Sequence, residues 1–247
     1  MFIIQGDIMM KKKIIALFLV IMVAFASMST YAMASSYAIT DENISIRTQA
    51  DTLISSVDET ALLEAALSNQ VDYSVPADIR ESIVAEASFQ PVNGVEQSEI
   101  ELEVTSTVKN LGEIARSDGS SSNLYVAVAA ATEVKEDWQY AGQHGIKAWA
   151  FVYWIDNPGT NNELYAAAGQ WDPKDKVVEN RQLRYGTTDI FWLLWLDGPT
   201  VKYPTDDWAY YEDPSSYTGY VLRCQTKIDV VNVGTVTCNV ASRIVTK

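Results

Sequence analysis

Apolar and polar positions divide the chain into three stretches of different period. The first is an unbroken apolar run, Ile14 to Ala26, behind the lysines Lys11 to Lys13 and ahead of the small, weakly polar Ser27 to Tyr31. Basic, then apolar, then small is the order of a secretory signal peptide, and Ala32-Met33-Ala34 offers the small residues of a cleavage site. Residues 1–34 are therefore expected to be removed between Ala34 and Ser35. At 13 residues the apolar run is shorter than the ~18–20 needed to span a bilayer, which argues against an anchor. Asp7 is foreign to such a leader, and Gln5-Gly6-Asp7 is encodable by a purine-rich ribosome-binding sequence. Met9 or Met10 is thus the expected start, in a bacterial gene.

The second stretch, 35–98, is polar and weakly helical. Residues 35–56 hold few large apolar side chains, and loose order is expected there. Ser56-Val57-Asp58-Glu59 has the spacing of a capping box ahead of Ala61 to Leu67. A second helix is expected to start at Pro76 and to carry Ile79, Ile83 and Ala87 on one face. Gln90 to Ser98 reads as a linker.

From residue 99 the period becomes two. Ile100, Leu102 and Val104 alternate with Glu99, Glu101 and Glu103. Further strands are predicted at 124–130, 147–155, 163–168, 181–185, 190–196, 217–228 and 234–245, separated by turn signals such as Asp156-Asn157-Pro158-Gly159 and Asp172-Pro173-Lys174-Asp175. The expected fold is mainly β: an antiparallel β-sandwich, or a barrel-like closure of it, over 99–247, preceded by the signal peptide and an acidic, partly helical segment over 35–98. Residues 147–155 and 190–196 are apolar on both faces, so both are expected as central strands covered on two sides, by a second sheet and by the helices of the leader.

Charge changes the functional picture. The 247 residues carry 18 Lys and Arg against 32 Asp and Glu, a net charge of −14, and residues 35–110 alone hold 3 basic against 14 acidic residues. Such a field repels phosphate backbones, which excludes nucleic acid as a partner. Cys224 and Cys238 are the only cysteines. In an exported chain they are a candidate disulfide, worth about 3 kcal/mol in the chain-entropy model. A hairpin turning at Asn232-Val233-Gly234 would place Cys224 opposite Ser242, so pairing requires the turn nearer Val231, or a bulge.

Candidate chemistry is sparse. His144 is the only histidine, which removes zinc sites built on two or more, and no GxSxG, P-loop, dinucleotide fingerprint or EF-hand loop is present. No cofactor and no metal is expected. Asp156, Asp172, Asp197, Asp206, Asp207, Glu212 and Asp213 collect in turns, where Asp serves backbone hydrogen bonding; as calcium ligands or as a hydrolytic carboxylate pair they would have to converge. The stretch Asp206 to Pro214 mixes aromatics with acids, and Trp208, Tyr210 and Tyr211, with Trp171 from a neighbouring turn, are the candidate ligand-binding residues.

These features favour a secreted, extracellular binding or interaction module over an enzyme. Its partner would be a carbohydrate or a protein at or outside the cell surface, with no integral membrane association after cleavage. The alternative is a secreted toxin or bacteriocin-like effector masked by an acidic pro-segment; a carboxylate-based hydrolase ranks third.

Overall fold

The computed structural model describes residues 41–92, 101–134, 145–157, 162–189, 194–196, 198–212, 217–219 and 221–243. The signal peptide, with Ala34 and Ser35, lies outside the described residues.

Three helices come first: α1 (Asp41–Ser55), α2 (Glu59–Leu67) and α3 (Ala77–Ser82). They are followed by the strands β1 (Ile83–Pro91), β2 (Glu101–Ala115), β3 (Ser121–Val134), β4 (Lys147–Asp156), β5 (Asn162–Asp172), β6 (Val178–Thr187), β7 (Thr200–Lys202), β8 (Trp208–Glu212), β9 (Thr218–Gly219), β10 (Val221–Val230) and β11 (Gly234–Arg243). The pairings are antiparallel. Sheet A has the order β1-β11-β10-β6-β7, and sheet B the order β2-β3-β4-β5-β8, with β9 against β5. The two sheets pack face to face as a sandwich, not as a closed barrel.

Between the sheets lies the larger core. Sheet A contributes Leu222, Cys224, Ile228, Val236, Cys238 and Val240, and sheet B contributes Ala127, Ala129, Ala148, Ala150, Val152, Trp154 and Ala167. The alanines let the sheets approach closely; a Cβ on Gly169 would stand 2.6 Å from the Thr226 methyl. The other face of sheet B is equally dry. Leu124, Val126, Val128, Trp149, Phe151, Tyr153 and Ile155 pack there against Ala50 of α1 and Leu62 and Ala66 of α2. Strand β4 is thus covered on both faces, by a second sheet and by helices, as its sequence demands.

The N-terminal segment departs from expectation in four ways. First, residues 41–55 form a helix, because Ile46, Ala50, Leu53 and Val57 make one apolar stripe at spacings of four, three and four, aimed at sheet B. Second, α2 is capped by Asp58, whose carboxylate accepts from the Ala61 amide, while the Ser56 hydroxyl donates to the Leu53 carbonyl 2.7 Å away. Third, the helix from Pro76 ends at Ser82. Residues 83–90 instead alternate as a strand, with Ile83, Ala85, Ala87 and Phe89 inward and Val84, Glu86, Ser88 and Gln90 outward. Fourth, β1 pairs with β11 from Ile83↔Ser242 to Pro91↔Gly234, so the sandwich starts well before residue 99, and one compact unit runs from Ile39 to Lys247.

Two glycines seal these contacts. Gly112, at φ +145°, sits in the bulge of β2, where a Cβ would meet the Leu53 side chain of α1 at 2.7 Å. Gly234, at φ +149°, opens β11, where a Cβ would lie 2.3 Å from the Gln90 carbonyl oxygen of β1. Among the described residues no helix is long and apolar enough to cross a membrane.

Candidate functional site

The aromatic residues singled out by sequence all pack against one or other core, Trp171 buried and Trp208, Tyr210 and Tyr211 half-buried. Trp208 to Glu212 is not an end loop but strand β8, paired with β5 from Gln170↔Trp208 to Ala166↔Glu212. Trp208 packs edge-on against Phe151, ring centroids 5.2 Å apart, and Tyr210 against Tyr153 at 5.8 Å. Tyr211 packs on the inter-sheet core beneath the Lys202 ammonium. Trp171, 1% exposed, lies inside that core near the end of β5 and presents no surface to a ligand.

Asp156 stands apart from the other described carboxylates, whereas Asp172 and Asp207 are neighbours, the Trp171 amide donating to the Asp207 carbonyl at 2.9 Å. Asp156 and Asp172 stand opposite Asn123 and Lys147, at the two ends of β4, which separates them by roughly 30 Å at ~3.3 Å per residue. Asp172 pairs with Lys174 at 3.2 Å, Asp207 with Arg181, and Glu212 with Arg47 at 3.8 Å. No group of three His, Cys, Asp or Glu among the described residues is arranged to hold a metal. His144, Asp197 and Asp213 lie outside the described residues. Beside Glu212, Tyr165 donates to Asp51 Oδ1 at 2.5 Å and to the Arg47 carbonyl, a tie that fixes α1 to β5. Burial, then the Asp51 contact, pushes this phenol well above its ordinary range.

The expected disulfide is not formed. The β10–β11 turn falls at Val231–Val233, so Cys224 stands opposite Val240 and Cys238 opposite Thr226. The two are diagonal neighbours, about 7–8 Å apart at Cα, beyond the reach of a disulfide without backbone movement. Both are free and fully buried; the Cys224 thiol donates to the Ala168 carbonyl and the Cys238 thiol to that of Ala129, each 3.6 Å away. Burial pushes Cys238 up to about 12 and raises Cys224 as well, so both are inert thiols.

What remains is the outer face of sheet A, which sequence reasoning passed over. Alternation in β1, β6, β10 and β11 turns every second residue out, and the register lines these up in rows across the strands. One row is Glu86, Asn239, Gln225 and Arg184; the next is Ser88, Thr237, Lys227 and Gln182; the third is Gln90, Thr235, Asp229 and Asn180. The third row is self-satisfied: Asp229 accepts from Thr235 at 2.6 Å and Asn180 at 3.2 Å, and pairs with Lys227. In the first row Asn239 Oδ1 accepts from both Arg223 Nη2 at 2.7 Å and Gln225 Nε2 at 2.9 Å.

At one edge of this face the chain after β6 folds back through a bridge between Thr188 and Trp195. The half-buried Trp195 ring lies against two guanidiniums, 4.5 Å from Arg184 Cζ and 5.0 Å from Arg223 Cζ. Arg223 is only 9% exposed; burial lowers its proton affinity, and the neighbouring Arg184 charge lowers it further against the pull of Glu86. Burial lowers that of Arg184 too. By contrast, the cleft between the α2–α3 connection and β2, lined by Asn69, Asp72, Arg80 and Thr107, measures about 170 Å³, well below the ~300–1,000 Å³ of small-molecule sites.

No family model matches this chain, and no curated protein or solved structure matches it either.

Proposed function

We propose that this chain is exported and acts outside the cell as a binding module for an extended carbohydrate laid across the outer face of sheet A. One observation carries the reading: the central strands β3 and β4 of sheet B are dry on both faces, whereas sheet A turns out rows of amide, hydroxyl and guanidinium groups that packing does not require. A flat array of donors and acceptors about 4.8 Å apart from strand to strand suits a ligand that presents many hydroxyls in sequence. The pairing of Asp172, Asp207 and Glu212 with cations and the small cleft speak for binding over hydrolysis. A removable pro-segment reaching residue 98 fits less well, since its loss would strip β1 from sheet A and α1 and α2 from sheet B.

The test is a glycan array probed with the secreted protein and with the double variant Gln182→Ala, Gln225→Ala. Binding that the variant weakens at least tenfold supports the reading. No glycan bound by the wild type, or equal binding by the variant, overturns it.

A further inference from the structure

Arg184 is the anomaly of this face. It is half-buried, with lowered proton affinity, yet among the described residues it forms no ion pair and no group accepts a hydrogen bond from it; its buried Nε has no partner. Placing a charge away from water without an acceptor is costly. The Arg223 guanidinium, a diagonal neighbour across β6 and β10, adds like-charge repulsion. Trp195 offsets part of this by stacking. Stacking occupies the guanidinium face and leaves the in-plane N–H fork free, which is the geometry that grips a planar oxyanion with two parallel hydrogen bonds.

We infer that Arg184, flanked by Arg223 and held by Trp195, is a carboxylate subsite, and that the glycan on sheet A is a uronate-bearing one. The inference rests on the carbohydrate reading above and adds the charge of the ligand. Charge complementarity favours it. Arg184, Arg223, Lys227 and Arg243 outnumber Glu86 and Asp229 on this face, in a chain whose net charge is −14. Carboxylate is favoured over phosphodiester because each sugar-acid unit also carries ring hydroxyls for the amide and hydroxyl rows beside Arg184, which a polyol phosphate backbone supplies far more sparsely. A sugar acid delivers one planar anion to Arg184 while its hydroxyls meet Gln225, Lys227 and Gln182 along the same strands.

Isothermal titration of the full secreted protein with polygalacturonate, a neutral glucan and poly(glycerol phosphate) tests this, with R184A and R184K beside the wild type. Circular dichroism establishes that each variant is folded. Polygalacturonate is expected to bind, to weaken with added salt, and to lose about 10- to 100-fold in R184A. R184K keeps the charge but not the fork, and is expected to recover only part of that loss. Neutral glucan bound as tightly as polygalacturonate, with R184A without effect on either, overturns the carboxylate subsite and leaves the carbohydrate reading standing. Preference for poly(glycerol phosphate) overturns the choice of carboxylate. Absence of binding to all three, together with an empty glycan array, overturns both.

Discussion

Sheets A and B are built from strands of similar length, yet they solve opposite problems. In sheet B, the eight register pairs of β3 and β4 from Leu124↔Ile155 to Ala131↔Ala148 are apolar throughout, and all sixteen residues are excluded from water. In sheet A, β10 alternates buried and half-buried residues, with Cys224, Thr226 and Ile228 facing in and Gln225, Lys227 and Asp229 facing out. Sheet B therefore supplies stability and needs helices to cover it. Sheet A is free to vary on its outer side, and function is expected where packing does not dictate the residue.

The difference can be broken at several points. The largest effect is expected from deleting residues 41–92, which uncovers Trp149, Phe151 and Tyr153 and removes the edge strand of sheet A; no cooperative thermal transition should remain by circular dichroism. Trp154→Ala, at the centre of sheet B, should lower the unfolding free energy in urea by about 3–5 kcal/mol. The buried thiols give a smaller, pH-dependent effect. Their proton affinity is raised in the folded state, from an ordinary 9.0 to about 12 for Cys238, so their stabilisation is full below pH 9 and is lost as the pH rises toward 12. Between pH 9 and 10 stability should fall by up to about 1.4 kcal/mol per pH unit for each thiol, added to the fall from the buried tyrosines, whose proton affinity is also raised, and C238A should show a shallower slope than the wild type. The smallest effect belongs to the wet face: Gln182→Ala or Thr237→Ala should change stability by no more than about 0.5 kcal/mol. A larger loss there would mean that sheet A's outer face is structural after all.

Much of sheet B was legible in the sequence. A strand apolar on both faces, such as Lys147 to Ile155, can only be central, and its two covers followed from that. The N-terminal third was harder to read because each of its signals is weak alone. Ala50 and Leu53 are too few to announce a helix without the sheet they meet, and Ile83-Val84-Ala85-Glu86-Ala87 satisfies helical spacing at Ile83 and Ala87 as well as strand alternation. Pairing with β11 decides for the strand, a tertiary effect that no local window contains. The expected central strand over 190–196 fared differently. Residues 190–193 lie outside the described residues, and Leu194 to Leu196 form a bend around the Thr188 bridge, with Leu194 66% exposed. The packing of the candidate aromatics was not legible, because Trp208 and Tyr210 sit beside acids in sequence while their rings face Phe151 and Tyr153 in space. The arginine pair on sheet A left no such local mark: Arg184, Trp195 and Arg223 are brought together only by register.

The pairing of β1 with β11 has a consequence for how the chain comes into being. Ile83 cannot meet Ser242 until the ribosome has added all of the intervening residues. Closing so long a loop is slow, and until it closes the apolar face of β1 and the hairpin of β10 and β11 have no complete partner. The first strand of the sandwich thus waits for the last. A nascent molecule with this wiring can assemble the consecutive strands β2 to β5 of sheet B early, whereas sheet A stays open at β1 until the final strand has been made.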